Sequence, residues 1–280
     1  MDSGNIAGLS PLIGRQPFAD SIYDGGGNVR ASDGPVLGEQ IVQQMGGDPA
    51  NTQLFNILSL EPARSVQVHN YAHGGAQSGE EPSQSFLGFR IGIGLASQVR
   101  AMKQRSGFYR SQSDVDVLLS AGANDLLEAL GDLTPFESVL TTPRRKDDRR
   151  LIRSLSRPIS RNIRKTVDQI TGLVDDVVVF ASFPISATPK ARRRAAKLDG
   201  VDEQPFLDLL DGISRDLIRR LGKAFQDNES IAVLDGQSLW NQLEDPKFLD
   251  DVHPTSSTSL ELAELAVPVI QDKLESFGFV

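Results

Sequence analysis

The 280-residue sequence contains no cysteine. That absence excludes a disulfide framework, a thiolate metal site and a cysteine nucleophile together, and it leaves the compartment open. Histidine is almost as scarce, with only His69, His73 and His253, so an imidazole base has three candidates. Aromatic residues make up 6% of the chain, which argues against a broad stacking platform for polysaccharides. No run of about 18 apolar residues occurs, so no transmembrane helix is expected. The N-terminus, MDSGNIAGLSPLIGR, lacks a basic start followed by an apolar core of signal-peptide length. A soluble protein is expected, either cytoplasmic or secreted with its signal removed. Internal repeats and low-complexity tracts are also missing, and no pattern speaks to the oligomeric state.

Charge is present but unevenly placed. The net charge of −8 argues against general nucleic-acid binding. Yet between Arg144 and Lys197 there are 15 Lys/Arg against five acids, so the remainder of the chain carries −18. The basic residues concentrate in TPRRKDDRRLIRSLSRPISRNIRK (142–165) and KARRR (190–194). The plain reading is a solvated helical face and loop. The alternative is a lid over a crevice, or a positive rim drawing anionic substrates or lipid surfaces as a peripheral contact.

Four short apolar runs are bounded by turn residues: VQVHNYA (66–72), VDVLLSAG (115–122), DVVVFASFP (176–184) and SIAVLDG (230–236). Their continuous rather than alternating apolarity predicts strands covered on both faces, as in a parallel sheet. A weaker strand is expected at LIGRQPF (12–18). Helical periodicity occupies 35–46, 85–107, 151–174, 205–225 and 256–277. The second of these is weakened by internal glycines, and the third carries Pro158 as an expected break or kink. Strands alternating with helices predict βαβ units with right-handed crossovers. The expected fold is one α/β domain over residues 1–280. In such sheets the active crevice lies beyond the carboxyl ends of the strands.

Chemically useful residues follow those runs. Asp20-Ser21 comes after the weak first strand, His73-Gly74-Gly75-Ala76 after the second, Gly122-Ala123-Asn124-Asp125 after the third, and Asp250-Asp251-Val252-His253-Pro254 near the end. In this order and spacing the four pieces resemble the four blocks of the GDSL or SGNH hydrolases, over about residues 18–267. The lipase-like branch is most similar, through Asn70-Tyr71-Ala72-His73-Gly74-Gly75-Ala76. The first block departs from the family: Gly-Asp-Ser-Leu reads Ala19-Asp20-Ser21-Ile22 here. The resemblance implies a three-layer α/β/α fold, flavodoxin-like, with a doubly wound, mostly parallel five-stranded sheet. It also implies a serine hydrolase of carboxylic esters, an esterase or lipase active in lipid degradation, with no cofactor.

Acyl transfer needs a nucleophile, a base and a place for the developing oxyanion. Ser21 is the candidate nucleophile, and its hydroxyl needs a neighbouring base. His253 suits that task, with Asp250 or the adjacent Asp251 to hold its ring. The resemblance selects Asp250, and it implies an oxyanion hole formed by the backbone N–H groups of Ser21 and Gly75 and the side-chain amide of Asn124. Asp20, Tyr23 and His73 are expected to line or order the site. His69 and His73 straddle a strand and a glycine turn, so no metal site is expected of them. The alternative function is a non-catalytic protein of the same fold that binds an acyl or glycan partner.

Overall fold

The computed structural model describes residues 22–25, 28–54, 62–72, 76–79, 83–86, 89–112, 114–141, 145–181, 184–198 and 200–274. The expected strand at 12–18, and with it Asp20 and Ser21, lies outside the described residues, as do His73 and Gly75. In chain order the elements are β1 (Ile22–Gly25), β2 (Asn28–Ala31), α1 (Leu37–Gln44), β3 (Thr52–Leu54), β4 (Val68–Asn70), β5 (Ser83–Phe86), β6 (Phe89–Gly92), α2 (Leu95–Lys103), α3 (Ser106–Tyr109), β7 (Asp116–Ala121) and α4 (Ala123–Ala129). They continue with α5 (Thr134–Thr141), α6 (Arg145–Ile170), β8 (Asp176–Ala181), α7 (Pro189–Ala195), α8 (Glu203–Phe225), β9 (Ile231–Asp235), α9 (Gly236–Trp240) and α10 (Ser256–Lys273).

Strands β7, β8 and β9 form a three-stranded parallel sheet with β8 in the middle. Every residue of β8 is buried, which explains its unbroken apolar run. The pleat sends Val177, Val179 and Ala181 into one core, shared with α2, α4, α6 and α8. Val178 and Phe180 point into a second core with α1, α9 and α10. Helices therefore cover both faces, as the continuous hydrophobicity requires. The expected five-stranded sheet is not seen as one piece among the described residues. β3 and β4 form a separate parallel pair, while β1–β2 and β5–β6 are antiparallel pairs.

Two expectations are corrected. The helix expected across 85–107 begins only at Leu95, and the stretch before it is the β5–β6 ribbon with Phe86 opposite Phe89. Gly88, Gly92 and Gly94 in the sequence make that stretch a poor helix. Pro158 does not break its helix: α6 runs unbroken through it for 26 residues. Pro158 is exposed, so its ring lies away from the buried side of α6. Leu151, Ile159, Ile163, Val167 and Ile170 are buried along the inner side of α6. Each is worth about 1.5–3 kcal/mol of apolar burial, enough together to offset one missing N–H. No described helix is long and apolar enough to cross a membrane.

Candidate active site

The last block folds as a closed loop before α10. Leu249 N–H donates to His253 O at 2.8 Å, and Thr255 N–H donates to Lys247 O at 3.0 Å. The Thr255 side chain caps α10 by accepting from Thr258 N–H. Within this loop the carboxylate of Asp250 is an acceptor on both oxygens. Its Oδ1 takes the backbone N–H groups of Val252 and His253, each at 2.8 Å. Its Oδ2 lies 2.7 Å from His253 Nδ1. A carboxylate only accepts, so Nδ1 carries the proton and the neutral ring presents Nε2 as a base. Burial works against the charged carboxylate, but the His253 bond and the two backbone donors outweigh it and hold Asp250 below the usual aspartate value. Asp251, one residue on, faces elsewhere. Its carboxylate pairs with Arg193 of α7, and its carbonyl accepts Lys190 N–H at 3.0 Å. Both side chains of the Asp250–His253 pair are partly exposed, at 30% and 24%, so the pair is open to the surface.

The third block is set by the end of β7. Gly122 adopts φ +103°, and a Cβ there would lie 3.2 Å from both Ile159 Cγ2 of α6 and Leu217 Cδ2 of α8. The positive φ favours glycine, and a Cβ there would press on both side chains. The turn starts α4 with Asn124 in its first turn, and Asn124 Nδ2 donates to Ala76 O at 2.8 Å. Next to it, the Asp125 carboxylate accepts Ser78 N–H at 2.9 Å and Ser78 Oγ–H at 2.7 Å. Asn162 of α6 donates to Ser78 Oγ at 3.2 Å. Burial pushes the Asp125 carboxyl up against the lowering effect of the Ser78 donors. The second and third blocks are thus tied together, with one amide N–H of Asn124 committed to Ala76 O and no partner for the other among the described residues. Sequence reasoning missed the tether formed by Ser78, Asp125 and Asn162. Its one legible part was Asp125, as the last residue of the third block.

The segment after β2 and the segment after the last block are joined by one hydrogen bond. Ile22, the residue after Ser21, is the register partner of Ala31. Two residues beyond Ala31, Asp33 Oδ1 accepts Ser256 N–H at 2.7 Å, three residues past His253. Gly34 sits so close that an added Cβ would lie 2.6 Å from Ser256 Oγ. Asp33 falls in SDGPVLGEQIVQQMG (32–46), a stretch that also resembles the lipase-like branch but by itself gave this aspartate no role. Tyr23 lies in β1.

Tyr71 and His69 belong to a separate chain of hydrogen bonds. His69 Nε2–H donates to Arg64 O at 2.9 Å, and its Nδ1 accepts from Tyr109 Oη–H at 2.7 Å. Tyr109 in turn accepts from Tyr71 Oη–H at 2.6 Å. Burial lowers the His69 pKa, only partly offset by the Arg64 carbonyl, so the ring is neutral as that pattern demands. These residues support β4 structurally.

Comparison with known proteins adds three findings. A family model described as GDSL-like Lipase/Acylhydrolase matches residues 17–266. No curated protein matches the chain. Among solved structures, a candidate arylesterase from Agrobacterium tumefaciens strain C58 is 15% identical, with a TM-score of 0.39 over 76% of this chain and 82% of that one.

Proposed function

We propose a function from one premise: this chain belongs to the GDSL-like lipase/acylhydrolase family. It is a serine hydrolase of carboxylic esters, and the observation that carries the assignment is the Asp250–His253 pair at 2.7 Å. Ser21 Oγ attacks the ester carbonyl while His253 Nε2 takes its proton. Asp250 holds the imidazole in the correct tautomer and stabilises the imidazolium. The tetrahedral oxyanion is met by the N–H groups of Ser21 and Gly75 and by the uncommitted amide N–H of Asn124. His253 then protonates the leaving alcohol, and water releases the acyl group by the reverse sequence of proton transfers. Asp20, Tyr23 and His73 line or order this site, and no cofactor takes part.

The contacts Asn124–Ala76 and Asp33–Ser256 support the assembly, because they bring the second block to the third and the first block's neighbour to the fourth. We treat β3–β4 and β7–β9 as parts of one doubly wound sheet within one domain, since the segments after β4 and β7 meet at their carboxyl ends.

Hydrolysis of p-nitrophenyl acetate and butyrate, wild type against Ser21→Ala, tests the assignment. The variant should lose turnover and covalent labelling by a fluorophosphonate. Unchanged turnover in Ser21→Ala removes the nucleophile and favours the non-catalytic binding reading.

A further inference from the structure

We infer that the outer face of α6 is a docking surface for an anionic phospholipid bilayer. Arg149, Arg153, Arg157, Arg161 and Lys165 are exposed and recur every four residues. At 1.5 Å per residue that row is about 24 Å long. Lys146, Arg150 and Arg164 are exposed as well. At 100° per residue, all eight basic side chains fall within an arc of about 160°.

Like charges four residues apart oppose one another in an isolated helix, and the fold does little to neutralise them. Arg164 has Asp168 at 3.8 Å. Among the described residues, no carboxylate lies within ion-pair distance of Arg149, Arg153, Arg157 or Arg161. The helix does not need these charges to pack, because its opposite side supplies the core residues. Every exposed residue of α6 other than Pro158 is polar or charged, so contact is electrostatic and peripheral rather than inserted.

Charge complementarity selects the partner. The chain outside 144–197 carries −18, so a polyanion long enough to reach far beyond the row meets a protein of net negative charge. A fluid bilayer meets only the face presented to it and can gather anionic lipids beneath that face. The arc also has no exposed aromatic side chain, which single-stranded nucleic acid would use for stacking. A lipid surface further suits the position of α6. The chain passes from α6 into β8, so α6 runs antiparallel to the strands and starts at their carboxyl ends. Its inner face holds Gly122 through Ile159 and Ser78 through Asn162. Docking would bring the proposed ester site to the bilayer, and that biological sense rests on the proposed function, although the binding itself does not.

The test is flotation of the full chain with phosphatidylcholine vesicles and with vesicles also containing phosphatidylglycerol, at low and physiological ionic strength. Wild type should float only with the anionic vesicles, less at the higher salt. Each basic side chain near such a surface is worth about fivefold in partition, so replacing Arg149, Arg153, Arg157 and Arg161 by Gln should lower binding by roughly 100-fold or more. The corresponding four-Lys variant should retain it. Both variants should keep wild-type turnover of soluble p-nitrophenyl butyrate, which verifies folding. Equal binding to neutral and anionic vesicles, or Gln-variant binding equal to wild type, overturns the proposal. Preference for a single-stranded oligonucleotide over anionic vesicles at the same salt overturns the lipid assignment. Flotation uses no turnover, so an inactive but lipid-binding protein would refute the ester chemistry alone.

Discussion

Asp250 carries three N–H donors on one carboxylate, and that arrangement separates its role from its neighbour's. Two carboxylates stand before His253, and spacing alone leaves both open. Asp251 is drawn away by Arg193 and by the backbone of Lys190. Replacing Asp250 with Asn keeps the shape but removes the charge, so the imidazole loses its orienting acceptor. Turnover of p-nitrophenyl butyrate should fall by up to about 10,000-fold, with little change in KM. The same carboxylate sets a pH dependence. Its folded pKa is depressed, so its contribution to stability is complete above the ordinary aspartate range and is lost as pH falls through the lower folded value. Thermal melts should therefore separate wild type from Asp250→Asn at pH 7 and bring them together in acid. A constant difference at both pH values would contradict this.

Between elements, the decisive joint is where β7 turns into α4 against α6 and α8. The Gly-Ala-Asn-Asp motif is visible in the sequence, but the positive φ of Gly122 and the crowding of its Cβ position by Ile159 and Leu217 of two other helices are not. Gly122→Ala should cost about 1–3 kcal/mol, through the positive φ and overpacking. It should lower kcat more than KM by displacing Asn124. Denaturant midpoints and steady-state kinetics check both parts, and an unchanged midpoint would refute the packing argument. The helices α8 and α10 were legible because their apolar spacing is helical throughout. The β5–β6 ribbon was not, because Phe, Ile and Gly at 86–92 suit either period over so short a stretch.

Across the whole molecule, the site depends on segments far apart in the chain. Asp33 and Ser256 are separated by 223 positions and joined by one hydrogen bond at 2.7 Å. Asp33→Ala should lower stability by only about 1 kcal/mol, as befits an exposed hydrogen bond. Turnover should fall by more than that loss explains, because the segment following Ser21 would no longer be held near the His253 loop. Asp33→Asn retains an acceptor oxygen and should restore part of the activity. Wild-type kinetics in Asp33→Ala would show that the tether plays no part in the chemistry.

Local order determined much of this protein. The absence of cysteine, the apolar runs of β7, β8 and β9, the helical faces of α6, α8 and α10, and the four family blocks are all properties of neighbouring residues, and sequence carries those directly. What holds Asp251 away from the imidazole, what packs against Gly122, and how Asp33 meets Ser256 and Ser78 meets Asp125 were decided only by the folded chain. Those choices depend on contacts between positions tens to hundreds of residues apart, where spacing along the backbone sets neither distance nor orientation.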